Sequence, residues 1–199
     1  MRLMQQSNPS VILSSTSVYR KELLGRLGIA FTTAKPDVDE TPLAGESPLA
    51  LAQRLALAKA SATATHNPGA VVIGSDQVAD LNGQPLGKPG SHERAVAQLQ
   101  AMRGQTVLFH TAIAVLSLAT GFERSAVATV RVVFRDLEDD EIERYLRAEK
   151  PYDCAGSAKS EGLGIALLSK IESDDPTALI GLPLIRTCEL LRAAGVQIP

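Results

Sequence analysis

Residues 70–90 read AVVIGSDQVADLNGQPLGKPG. Ala70, Val71, Val72 and Ile73 form a short continuous apolar run, the pattern of a strand buried on both faces. Gly74 and Ser75 are expected to end that strand, which sets Asp76 at its tip. Further on, Gly87 and Pro89 bracket Lys88 in a tight turn. An acid beside so apolar a run needs a cation, a metal or backbone donors, because an unpaired buried carboxylate is costly. Lys59 on the preceding predicted helix and Lys88 are the candidate partners. A structural ion pair or a turn aspartate is the competing reading.

Outward from this strand, helices and strands alternate. SVILSS (10–15) is a short strand, and Ser17 can cap the helix VYRKELLGRLGI that follows. FTTAKPDVDETPLAGESP (31–48) is an irregular segment or a ragged strand. Ser47 caps the next helix and Pro48 suits its first turn. Leu51, Leu55, Ala58 and Ala62 give it one apolar stripe to about Thr65. A helix is expected over about Ser91–Met102. Two long β-rich arms then flank Thr120-Gly121 as a hairpin. EDDEIERYLRAE (138–149) is a helix with its acids early, KPYDCAGSAKSEGLG (150–164) a Gly/Ser-rich loop, IALLSKIE (165–172) a strand, and about Leu184–Ala194 the last helix. The alternation predicts an α/β or α+β fold with a mixed sheet.

The 199 residues are 45% hydrophobic but only 4% aromatic, without tryptophan, so the core is expected to be aliphatic. A formal net charge of −2 and the lack of any Lys/Arg block disfavour nucleic-acid binding through a basic face. Cys154 and Cys188 make no CxxC or zinc spacing and read as buried free thiols in a reducing compartment. No stretch approaches about 18 apolar residues, and Val11–Leu13 is too short for a signal-peptide core. These features predict a soluble cytoplasmic protein with no membrane partner.

Four polar clusters flank the predicted elements, where open α/β folds place ligands. Ser14 to Ser17 with Arg20 can form an anion site at a helix N-terminus, or simply a cap beside a solvated arginine. Asp37, Asp39 and Glu40 offer hard oxygens for Mg²⁺ or Mn²⁺, or a solvated acidic loop. Asp76 with its lysines is the third cluster. Lys159, Ser160 and Glu161 sit among glycines that permit close ligand approach, or in a flexible surface loop. GxxxxGK[ST] and GxGxxG are absent, as is a Ser/His/Asp signature, and His66, His92 and His110 are scattered.

Taken in order, ILSSTSVYRKELL (12–24), DVDET (37–41), LALAKA (55–60), IGSDQV (73–78), GKP (87–89) and CAGSAKSEGLGIAL…GLPL (154–184) resemble the Maf-like nucleotide pyrophosphatases. The likeness runs from about Val11 to Ala194, with Val18 where the family often has proline. It implies an inosine-triphosphatase-like α/β fold: one domain over residues 1–199, with a mixed twisted sheet, helices, and two lobes around a deep cleft. It further implies hydrolysis of a nucleoside triphosphate to the monophosphate and pyrophosphate with a divalent cation, Mg²⁺ or Mn²⁺. The implied functional residues are Ser15, Arg20, Glu40, Lys59, Asp76 and Lys88, with Glu40 and Asp76 holding the metal and Asp76 orienting or deprotonating water. Arg20, Lys59 and Lys88 would neutralise the phosphate tail. Tyr19, Gln77 and Glu161 resemble the branch acting on 7-methyl-GTP. An aromatic face attracts a cationic base, and a carboxylate accepts from the guanine edge. A dTTP/UTP or broader noncanonical-nucleotide pyrophosphatase is the alternative, and a division-linked regulator with vestigial hydrolysis is another. Homodimer formation is also a family trait, although no segment here marks an interface.

Overall fold

The computed structural model describes residues 9–198. Met1–Asn8, on which the reading of the N-terminal segment partly falls, lie outside the described residues, and Val11–Leu13 is strand. The elements are β1 (Val11–Ser14), α1 (Val18–Gly25), β2 (Thr32–Ala34), α2 (Pro48–His66), β3 (Val71–Leu81), β4 (Gln84–Leu86), α3 (His92–Met102), β5 (Thr106–Ser117), β6 (Phe122–Phe134), α4 (Asp139–Glu149), β7 (Leu168–Glu172) and α5 (Leu184–Ala193). Single 3₁₀ turns occupy Ala155–Ser157, Leu163–Leu167 and Ala178–Ile180. Among the described residues, no helix is long and apolar enough to cross a membrane.

The strands form one mixed sheet ordered β2-β1-β3-β5-β6-β7, with β4 pairing β3. β1 runs parallel to β2 and β3, and the remaining pairs are antiparallel. One face of the sheet packs on α2 through Ile12, Val72, Ala112 and Ala114. On the other face, Leu23 and Leu24 of α1 and Leu190 and Leu191 of α5 cover Val11, Leu13, Val71 and Ile73. Leu99 and Met102 of α3 and Ile142 and Leu146 of α4 cover Val107, Phe109, Val130 and Phe134 on β5 and β6. The core is mainly aliphatic, as the composition leads one to expect, but Phe109, Phe134 and Tyr145 are buried in it.

The opening stretch behaves differently from its sequence reading. β3 does not stop at Ser75 but continues through Asp76 to Leu81, paired along its length with β5. What ends is its parallel neighbour: β1 pairs with β3 only as far as Ser14 opposite Gly74. β4 takes up the same edge from Ala79. The segment 75–78 therefore has a strand on one side and an open edge on the other. Gly74 is needed for close packing, since a Cβ there would lie 2.2 Å from the carbonyl oxygen of Ala56 and 2.6 Å from the amide of Ala60, both on α2.

Two other expectations need correction. The buried stripe of α2 is Leu51, Ala52, Leu55, Ala56, Lys59, Ala60, Thr63 and Ala64, while Ala58 and Ala62 are only half-buried. Alanine-rich helices look amphipathic in several registers, and only the sheet selects one. The segment IALLSKIE is strand only from Leu168. Residues 163–167 coil into a 3₁₀ turn, because β6 offers ladder partners from Phe134 backwards only. The capping predictions hold at Ser17 and Ser47, whose hydroxyls accept from the amides of Arg20 and Ala50; Ser91, expected as the first helical residue, is instead the cap of α3 and accepts from the amide of Arg94. The β5–β6 hairpin turns at Thr120-Gly121, with Gly121 at φ +68°.

Candidate active site

Over the open edge of β3 lies a cavity of about 710 Å³. Its wall includes the nine residues that the family resemblance implied: Ser15, Tyr19, Arg20, Glu40, Lys59, Asp76, Gln77, Lys88 and Glu161. Asp37 and Asp39 are exposed and do not line it. Asp39 instead accepts from the amide of Thr41. Lys159 and Ser160 are likewise outside the lining, and Lys159 is paired with Glu149 at 2.9 Å. No histidine lines the cavity.

Lys59 is the centre of the charge arrangement. It comes from the buried stripe of α2 and is only 5% exposed. Its Nζ donates to Asp76 Oδ1 at 2.6 Å and meets Glu40 Oε1 at 2.7 Å. Asp76 is itself 7% exposed, so a buried ammonium and a buried carboxylate neutralise each other at the open edge. Ser14 locks this register from below: its hydroxyl donates to the carbonyl of Lys59 and shares a hydrogen bond with Thr63, tying β1 to α2. Burial pushes the Glu40 carboxyl upward, but the Lys59 hydrogen bond and the charges of Lys59, Lys88 and Arg20 outweigh it and hold it below the usual range. The loop carrying Glu40 is clamped by Arg54, which binds both carboxylate oxygens of Glu46 and the carbonyl of Thr41.

Arg20 projects from the first turn of α1. Its Nε donates to the carbonyl of Gly181 at 2.9 Å, and its Nη1 reaches Ser15 Oγ at 3.5 Å. Burial works against the guanidinium charge, and Asp76 and Glu40 work for it. Ser15 Oγ also accepts from the amide of Ser17, so its own proton is left to donate into the cavity. Lys88 is exposed and, among the described residues, makes no ion pair, which leaves its ammonium for an anion. Together these groups form an anion-binding wall beside two hard carboxylates. Two such oxygens suit Mg²⁺ or Mn²⁺, which keep water and phosphate oxygens as further ligands. Among the described residues, no three His, Cys, Asp or Glu side chains surround one point. The site therefore fits a cation shared with a phosphate better than one held by protein alone.

Gln77 differs from expectation. Its Nε2 donates to Thr111 Oγ1 and to the carbonyls of Ala178 and Leu179, fixing the 178–181 turn that holds Arg20. Its amide nitrogen is thus engaged in positioning that turn, while the residue still lines the cavity. The 154–164 loop is no loose surface loop either. Ser157 is buried, donates to Gln98 and accepts from Tyr145, and Gly156 packs against Ala79 and Phe109 at φ +66°.

Sequence reasoning missed Asp153 and Cys154, which line the cavity next to Tyr19 and Glu161. The missed signal was position: Cys154 opens the glycine-bearing segment 154–164 already marked as a ligand site, and Asp153 directly precedes it. Cys154 and Cys188 are free as expected, but both are half-buried and not buried. Burial, followed by the charge of Asp153, pushes the Cys154 thiol up to about 12. Its thiolate fraction at pH 8 is then expected to be about three orders of magnitude below that of a cysteine at the ordinary value of 9.0. Alkylation with iodoacetamide, followed by mass spectrometry, should find Cys154 almost inert at pH 8. Its rate should rise about tenfold per pH unit, and fast labelling at pH 8 would contradict the geometry.

The family model for Maf-like protein matches residues 10–194. This chain belongs to the Maf-like family. Among curated relatives, this Maf-like chain is 71% identical over 188 residues to the 7-methyl-GTP pyrophosphatase of Polaromonas sp. strain JS666, covering 94% of this chain and 86% of that one. It is 64% identical to the protein of the same name from Albidiferax ferrireducens, with 94% of each chain covered. It is 59% identical to that of Cupriavidus pinatubonensis, again with 94% of each covered. Among solved structures, a HAM1 protein from Coxiella burnetii aligns with a TM-score of 0.47 and 19% identity, over 65% of this chain and 74% of that one.

Proposed function

We propose that this chain hydrolyses 7-methyl-GTP to 7-methyl-GMP and pyrophosphate. The observation that carries this reading is the Glu40–Lys59–Asp76 arrangement at the open edge of β3, facing Arg20 and Lys88 across one cavity. A triphosphate brings several negative charges, and a nucleophile reaches the α-phosphorus only once these are neutralised. Arg20, Ser15 and the amides at the start of α1 receive phosphate oxygens. Asp76 orients a water against the α-phosphorus and takes its proton as the new P–O bond forms. The bond from that phosphorus to the bridging oxygen breaks, and its electron pair leaves with pyrophosphate, whose charge Lys88 and Lys59 balance. A divalent cation, which Glu40 and Asp76 would hold, supplies further charge stabilisation when bound.

Tyr19 and Glu161 line the same cavity and suit the base. The aromatic face attracts the cationic methylated guanine, and the carboxylate accepts from its N1–H and amino group. The names of the relatives, 7-methyl-GTP pyrophosphatases, favour the same substrate. A panel of 7-methyl-GTP, GTP, dTTP and UTP, read by pyrophosphate release, tests the proposal. The expected kcat/KM is highest for 7-methyl-GTP by about tenfold or more, the worth of one well-placed charged contact. Turnover of dTTP above 7-methyl-GTP would refute it.

A further inference from the structure

The charged groups of the cavity fall into two sets. Glu40 and Asp76 feel Arg20 and Lys59, with Lys88 also acting on Glu40. Around Tyr19 the surroundings are anionic: Asp153 and Glu161 line the wall there, and Glu149 lies behind with the single ammonium of Lys159. That ammonium sits 5.7 Å from the Tyr19 ring centroid, but it is spent on Glu149 at 2.9 Å. Among the described residues, this end thus sets Asp153 and Glu161 near Tyr19, with Lys159 paired to Glu149. Asp153 is exposed and accepts a weak bond from the Cys154 thiol at 3.6 Å. Among the described residues it has no cationic partner at all. Its charge is free to act on whatever occupies the cavity.

We infer that Asp153 is a specificity-determining residue whose negative charge favours a cationic purine over the same purine uncharged, a step that rests on the 7-methylguanine substrate proposed above. N7-methylation gives guanine a permanent positive charge. An uncompensated carboxylate beside the ring then stabilises the methylated base and is nearly indifferent to the neutral one. Glu161 reads hydrogen-bond donors that both bases carry, whereas Asp153 reads the charge itself. The cavity is therefore polarised to match its ligand, with cations for the phosphate tail and anions for the base.

The test measures kcat/KM for 7-methyl-GTP and for GTP with the wild type, Asp153→Asn and Asp153→Glu, at low and high salt. Affinity for 7-methyl-GMP and GMP, by calorimetry, gives a readout independent of catalysis. The ratio of the two kcat/KM values is expected to fall about fivefold in D153N and to survive in D153E, which keeps the charge. Raising the salt should move the wild-type ratio toward that of D153N, because an exposed charge is screened. A D153N ratio equal to that of a wild type that does prefer 7-methyl-GTP overturns the role of Asp153 and leaves the substrate assignment intact. An equal loss in D153E marks a matter of shape and also overturns it. A wild type without preference for 7-methyl-GTP removes the substrate assignment and this inference with it.

Discussion

Replacing Asp76 with asparagine is expected to lower kcat by about a thousandfold, within the range spanned by loss of a positioned general base. The substitution keeps the side chain's shape and leaves an oxygen for Lys59 Nζ, now 2.6 Å from Oδ1. It removes the negative charge and the capacity to accept a proton from water. The fold should persist, since Lys59 keeps Glu40 at 2.7 Å and the β3–β5 ladder involves only the backbone of Asp76. Steady-state pyrophosphate release gives the rate, and circular dichroism with a thermal melt establishes that the variant is folded. A loss below about tenfold in a folded variant would mean that another group receives the proton.

Gly74→Ala is expected to give the largest change in stability. The added Cβ would stand 2.2 Å from the Ala56 carbonyl oxygen, 2.6 Å from the Ala60 amide and 2.8 Å from the Ala60 Cβ. Two of these are backbone atoms of a helix and cannot rotate aside, so α2 must lift from the sheet. Overpacking of this kind costs about 3 kcal/mol, at the upper end of its usual range. For a chain of this size that lowers Tm by roughly 10 °C in a calorimetric scan. Activity should fall further than stability alone predicts, because Lys59 adjoins Ala60 and moves with the helix. A melting temperature within about 2 °C of the wild type would show that α2 does not approach the sheet this closely.

Much of the local structure was legible because local rules govern it. Ser17 and Ser47 were readable as caps, since a hydroxyl next to unpaired amides is a short-range arrangement. The hairpin at Gly121 followed from two β-rich arms around a turn pair. The site residues were legible as types: phosphate chemistry calls for cations and hard oxygens, and the ordered motifs supplied them. Less legible was how each is held. Gln77 looks in sequence like a side chain for a ligand, yet its amide nitrogen donates to Thr111 and to two carbonyls about a hundred residues further along the chain. Cys154, read as a buried thiol, lines the same cavity as Tyr19.

Taken alone, the order of residues determined the alternation of elements, the aliphatic core and the inventory of charged groups near element ends. Only the tertiary structure decided that β3 runs on past Asp76 while β1 stops opposite Gly74, and that Lys59 belongs to the buried stripe of α2. A glycine followed by a serine and an acid reads the same whether it ends a strand or admits a helix. The outcome turns on how near α2 comes to the sheet, and that is set by packing between segments distant in the chain.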